Sequence, residues 1–202
     1  MFKKLFTIAI LITIAGCSQL TTEQRLARGS AEDAYKLGLM HYYGRGVALN
    51  RELALVHLSS AAERGSVGAR YTLGIINDKA GNMIEAIHWY KAAAKTQHMA
   101  HPMFRLAEIY HFGIGVEKDL DLAIHYYLKT AKLGYESSMR ELSRLYYAKR
   151  DFSDAFVWAK VVELSGADDI RPLVDKASFE IKPLNALKLE DKAKLYAKLY
   201  LH

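Results

Sequence analysis

A pattern that returns every 33 to 36 residues governs what this chain can become. A leucine followed by a small residue stands at Leu37-Gly38, Leu73-Gly74, Leu106-Ala107 and Leu142-Ser143. A second marker, an alanine, follows at Ala54, Ala86, Ala123 and Ala155. The distance from leucine to alanine alternates between 17 and 13 residues, so longer and shorter units take turns. A chain repeating at such a period folds as stacked units, each burying against its neighbour an apolar face it cannot bury alone.

Finer marks show what one unit is. Four residues before each alanine stands Asn50, Asn82, Asp119 or Asp151. Such side chains accept hydrogen bonds from the unpaired amides of a first helical turn. Asn82 with Glu85 also has capping-box spacing. Three residues after the alanine come the rings of His57, Trp89, Tyr126 and Trp158. Eleven after it come Gly65, Gln97, Gly134 and Gly166, and glycine there stops a helix. Each unit therefore reads as helix A, turn, helix B, turn. The small residue after the leucine lets the two helices approach closely. In the longer units the A–B turn is Tyr43-Gly44-Arg45-Gly46-Val47 or Phe112-Gly113-Ile114-Gly115-Val116. Two glycines allow a tight reversal there, and the valine can fold back onto the core.

The string Leu-Gly-x-x-Tyr-x-x-Gly-x-Gly-Val, then Asp-x-x-x-Ala, is similar to the Sel-1-like repeat. Leu106 to Val116 carries it with Ala107 for glycine, and Leu37 to Val47 with His41 in the tyrosine place. The shorter units, from Leu73 and Leu142, look more like the related tetratricopeptide repeat. The resemblance implies an all-α chain, a right-handed α-solenoid of about four helix-pair repeats. The expected units are 30–66, 67–98, 99–134 and 135–166, with C-terminal capping helices over 167–202. Asp168 or Asp169 would cap a helix running to Phe179, with Pro172 in its first turn and Pro183 beyond it. Asn185 to Leu201 reads as a final helix. Its apolar side would hold Leu189, Ala193, Tyr196, Leu199 and Tyr200, with Lys188, Lys192 and Lys198 facing water. A solenoid needs such a cap because its last repeat has no neighbour.

The N-terminus is of another kind. Lys3 and Lys4 precede an apolar stretch of 11 residues, Leu5 to Ala15, too short to span a bilayer. Ile14-Ala15-Gly16-Cys17 resembles the lipobox of bacterial lipoproteins. That resemblance implies a cleaved signal peptide over 1–16, acylation of Cys17 and a tether over 17–29. Ser18 in place of aspartate implies the periplasmic face of the outer membrane. Cys17 is the one cysteine of the chain, so no intrachain disulfide forms.

Chemistry is hard to find. The formal charge of +6 is scattered, with no Lys/Arg run, so no nucleic-acid partner is expected. His57, His88 and His125 fall in different units, roughly 8–10 Å apart by helix spacing, while zinc–nitrogen bonds need about 2.0–2.1 Å. His98 and His101 lie near a loop without a second ligand pair. No metal, cofactor or catalytic motif is expected, and the chain reads as a non-enzyme. By analogy with helix-pair repeats, binding positions fall two before the leucine, then two, five and six after it. They are Tyr35, Leu39, Tyr42 and Tyr43; Tyr71, Ile75, Asp78 and Lys79; Phe104, Glu108, His111 and Phe112; and Arg140, Arg144 and Tyr147. Tyrosine and arginine often anchor interfaces. The expected role is a membrane-anchored periplasmic scaffold or adaptor gripping a protein or peptide along the concave face. Other classes are a fixed component of an envelope assembly, such as polysaccharide export, flagellar or cell-wall machinery, and a hydrolase.

Overall fold

The computed structural model of the protein describes residues 29–96 and 99–201. The leader, Cys17 and the tether up to residue 28 lie outside the described residues, as do Gln97 and His98. Among the described residues all regular structure is helical. Four helix pairs follow one another: α1 (Ala31–Tyr43) with α2 (Arg51–Glu63), α3 (Val67–Lys79) with α4 (Met83–Ala94), α5 (Ala100–Phe112) with α6 (Leu120–Ala131), and α7 (Glu136–Ala148) with α8 (Phe152–Leu164). A short 3-10 turn (Asp168–Ile170), α9 (Arg171–Phe179) and α10 (Pro183–Tyr200) complete the chain. This is the α-solenoid class of helix-pair repeats. The chain divides inside α3 into two compact units, one ending at Leu73 and one beginning at Gly74.

The markers act where the spacing puts them. Side-chain oxygens of Asn50, Asp119 and Asp151 accept from the amides of Leu53, Leu122 and Asp154 at 2.9, 2.9 and 3.1 Å. Asn82 does not cap. Its side chain turns back to the end of α3 and donates to Asn77 Oδ1 at 3.4 Å, so the expected capping box with Glu85 is absent. A capping box does open α1, where Ser30 and Asp33 exchange bonds at 3.1 and 2.9 Å. The two Gly-x-Gly turns close identically. Arg45 and Asn50 donate to the carbonyls of Met40 and His41, and Ile114 and Asp119 to those of Ile109 and Tyr110. In the shorter units one residue takes the left-handed stop, Gly81 at φ +80° and Arg150 at φ +63°. Arginine is strained there, by about 1–2 kcal/mol. Arg150→Gly should therefore raise stability by about 0.5–1 kcal/mol after the entropy cost of glycine. A urea midpoint that stays put or falls would contradict this.

The core is built at the repeated positions. Leu37, Leu106 and Leu142 and all four marker alanines are fully buried, and Leu73 nearly so. A Cβ on Gly38 would lie 2.8 Å from Leu58 Cγ, and one on Gly74 would lie 2.5 Å from Tyr90 Cδ1. The side chains filling these close approaches stand one residue beyond the ring series His57, Trp89, Tyr126 and Trp158.

The C-terminal end differs in detail from the expectation. Neither Asp168 nor Asp169 caps α9; its first turn follows the 3-10 turn, and Asp169 pairs with Arg140 instead. α9 ends at Phe179 as expected, and α10 opens at Pro183, two residues before the expected Asn185. α10 packs on α8, with Tyr196 and Tyr200 against Trp158 at 5.3 and 6.4 Å between ring centroids. Lys192 does not simply face water: it donates to Asp154 Oδ1 at 2.8 Å. Leu199 is half exposed rather than on the packed side.

Candidate partner-binding cleft

Helix periodicity brings residues three and four apart onto one face. On α5 that face carries Phe104, Glu108 and Phe112; on α7 it carries Ser137, Arg140, Glu141 and Arg144. With Tyr127 of α6 these side chains line a cleft of about 280 Å³. Five of the positions expected from the repeat pattern thus converge: Phe104, Glu108, Phe112, Arg140 and Arg144. His111 stands beside them, stacked on Phe112 at 4.2 Å, with Nδ1 3.5 Å from the Tyr127 hydroxyl. Tyr147 is elsewhere, edge-on to Phe152 at 5.4 Å.

Three lining residues escaped the sequence reading. Ser137 and Glu141 extend the Arg140–Arg144 stripe by one helical step each, and that spacing could have found them. Tyr127 could not be found so. It belongs to helix B and reaches the cleft only because α5 and α6 pack closely enough to place its ring 5.6 Å from Phe104.

The basic end of the set is neutralised. Arg140 is held between Glu136 Oε1 at 2.9 Å and Asp169 Oδ2 at 2.6 Å. Arg144 meets Glu141 Oε1 at 2.5 Å, yet its side chain stays 57% exposed. Glu108 accepts from Arg105 at 3.1 Å, and Arg105 also forks onto both oxygens of Asp78 at 2.7 and 3.0 Å. The cleft therefore presents paired charges around aromatic rings. Phe112 is 62% exposed at its mouth, with His111 stacked on it. Burial, reinforced by Lys118, pushes the His111 imidazole down against the opposing pull of Glu141 and Glu108, so it is neutral at pH 7. Burial pushes the Tyr127 phenol up, so it keeps its proton.

The Arg105 fork, with some help from Tyr90, holds the Asp78 carboxyl below its ordinary value of 3.8. A depressed carboxyl stabilises the fold above its unfolded pKa and loses that contribution as pH falls through the folded one. Arg105→Met should therefore cost stability at pH 7 and cost clearly less at pH 2–3. An equal loss at both pH values in urea unfolding would contradict the assignment.

The remaining expected positions fall in both compact units. In the first, the Tyr35 hydroxyl lies 3.3 Å from Thr72 Oγ1, and its ring fills the space above Gly68, so it is packed between helices. Leu39, Tyr42 and Tyr71 are half-buried. Tyr42 sits edge-on to Tyr43 at 5.0 Å, and the Arg45 guanidinium lies 5.2 Å above the exposed Tyr43 ring. In the second, Ile75 is half-buried and Lys79 exposed. The helix-B histidines pair with rings: His57 with His41, His88 with Trp89, His125 with Tyr126. Among the described residues no three His, Cys, Asp or Glu side chains are placed to hold a metal.

With this geometry in hand, comparison with known proteins gives a consistent picture. The Sel1 repeat family model matches residues 31–66, 68–96 and 103–135. An uncharacterized protein of Neisseria meningitidis serogroup B is 32% identical over 111 residues, 54% of this chain and 23% of that one. Chitin synthase regulatory factor 4 of Schizosaccharomyces pombe is 34% identical over 53 residues, 26% and 8% of the two chains. The chain thus spans less than a quarter of either curated relative. Two solved structures share the fold. One is a protective antigen of uropathogenic Escherichia coli with an SLR fold (TM-score 0.65, 23% identity, 85% of this chain and 38% of that one). The other is a Sel1 repeat protein from Oxalobacter formigenes (TM-score 0.66, 21% identity, 88% and 76%).

Proposed function

This chain is a Sel1 repeat protein, and from that premise we propose that it is a non-catalytic adaptor that grips a segment of another protein in the α5–α7 cleft. Sel1 repeat proteins generally mediate protein–protein interaction. The observation that carries the reading is the convergence of Phe104, Phe112 and Arg144, all from helix-A positions, on one open cleft. Aromatic and arginine side chains contribute most when a partner covers them and excludes water. Phe104 and Phe112 offer an apolar seat, and the Arg144–Glu141 pair can exchange its members for groups on a partner. The fitting segment therefore carries an apolar side chain flanked by polar or charged ones.

A photocrosslinking residue placed at 112 or 144 in cells tests this. Both positions should trap the same partner, while positions 56 and 84, which are 63% and 77% exposed on helices α2 and α4, should not. Equal trapping at all four would remove the cleft from the account.

We also propose that the adaptor works on a membrane, held by acyl chains on Cys17 at the periplasmic face of the outer membrane. The leader pattern and the lone cysteine support this reading. One acyl chain holds a protein only marginally and two or three hold it firmly. Cys17→Ser should move the protein from the membrane fraction to the soluble one and abolish fatty-acid labelling. A wild-type protein that takes no label would end this part of the proposal.

A further inference from the structure

A second cleft, of about 370 Å³, lies where α4, α5 and α6 end and begin. It is lined by Ala94, Lys95, Met103, Lys129, Lys132 and Leu133. Three lysines share this lining with no carboxylate. The partner cleft differs: there Arg140 and Arg144 sit on Glu136, Asp169 and Glu141. Lys95, Lys129 and Lys132 make no ion pair among the described residues; Lys129 rests 5.8 Å above the Tyr126 ring. An anionic partner meets three cations there and no lining acid to repel it.

The surroundings say what kind of anion. Leu133 is 44% exposed at the rim. The turn it belongs to meets the last turn of α10, where the Tyr200 carbonyl oxygen would lie 2.8 Å from a Cβ on Gly134. That turn of α10 carries exposed Lys198 and half-exposed Leu199. The nearby acid, Glu136, is engaged by Arg140 and Ser165. Lysines interspersed with exposed leucines, and acids tied up, make a surface suited to the boundary between headgroups and acyl chains.

We propose that this edge docks on a bilayer of anionic phospholipid. Its lysines meet the phosphates, while Leu133 and Leu199 enter the interface. The contact uses no residue of the partner cleft and acts in addition to any anchor at Cys17.

The test is flotation of the full chain with vesicles of phosphatidylglycerol and phosphatidylcholine, against vesicles of phosphatidylcholine alone. The quantity read is the ratio of the two partition coefficients, in which apolar insertion by the leader or its lipid cancels. Each lysine near an anionic surface contributes about a fivefold preference at low salt. The triple variant Lys95→Gln, Lys129→Gln, Lys132→Gln should thus lower the ratio about 100-fold, and Lys132→Gln alone about fivefold. The preference should also fade near 1 M salt, where charges are screened within about 3 Å. A control with the same charge change, Lys36→Gln, Lys118→Gln, Lys176→Gln, should stay within about threefold of wild type. All six lysines are exposed, so both triple variants should keep the wild-type melting temperature. A wild-type ratio near one, a pocket triple with the wild-type ratio, or a control that loses as much would each overturn the proposal.

Discussion

Trp158→Ala should destabilise the C-terminal unit by about 3–5 kcal/mol, the range for emptying a large aromatic site in a core. The ring is 3% exposed and sits where α8 receives α10, against Tyr196 and Tyr200. α8 is buried on several sides: Ala155 to Ala159, Val161 and Val162 are all buried. α10, together with α9, packs on α8, the second helix of the last repeat, which a solenoid has to cover. Removing the indole takes away the platform on which both tyrosines rest. Hydrogen exchange should then quicken first in α10, before α5 and α6 respond. Phe179→Ser is the contrasting change, since that ring is 89% exposed and its loss should leave the urea midpoint within about 0.5 kcal/mol of wild type. A Trp158→Ala protein that loses less than about 1 kcal/mol, or whose α10 amides stay protected, would mean that α10 is not the cap.

Gly74→Leu should cost about 3 kcal/mol or more. Overpacking a dense core costs about 1–3 kcal/mol, occasionally more, when neighbours cannot give way. Here the new Cβ alone would stand 2.5 and 2.6 Å from two atoms of the Tyr90 ring. Tyr90 is 2% exposed and its hydroxyl is tied to Asp78 at 3.0 Å, so it has little freedom to retreat. Moving it would also disturb the Asp78–Arg105 fork. Gly74→Ala should be milder, because it adds the Cβ alone while recovering about 1 kcal/mol of helix propensity. The order wild type, alanine, leucine in decreasing urea midpoint is the expected result. A leucine variant as stable as wild type would show that α3 and α4 are not in this close contact.

Much of the architecture was legible because it depends on spacing. The leucine, the small residue and the alanine recur at helix-pair distances, and the caps and turn glycines punctuate them. Features that depend on a partner distant in sequence were not legible. Arg140 and Arg144 are visible at their repeat positions, but the acid that neutralises Arg140 is not. Asp169, which neutralises Arg140, comes from the segment after the last repeat. Lys192 looked solvated because nothing in α10 itself foretells Asp154. Asn82 has a good capping side chain, yet the neighbouring Asn77 competes for it, and local spacing does not decide between the two. Tyr127 was hidden for a simpler reason: the ring series was counted three residues after the alanine, and the cleft uses the fourth.

The partner cleft is the centre of the account, and direct binding tests it best. The segment trapped at positions 112 and 144, made as a peptide, is titrated against wild-type protein and against the double variant Phe112→Ala, Arg144→Glu. Interface anchors of this kind cost about 2 kcal/mol or more when truncated, which is about 30-fold in Kd. At least that loss is expected, with an unchanged melting temperature because both side chains are largely exposed. A Kd unchanged by the double variant would contradict it.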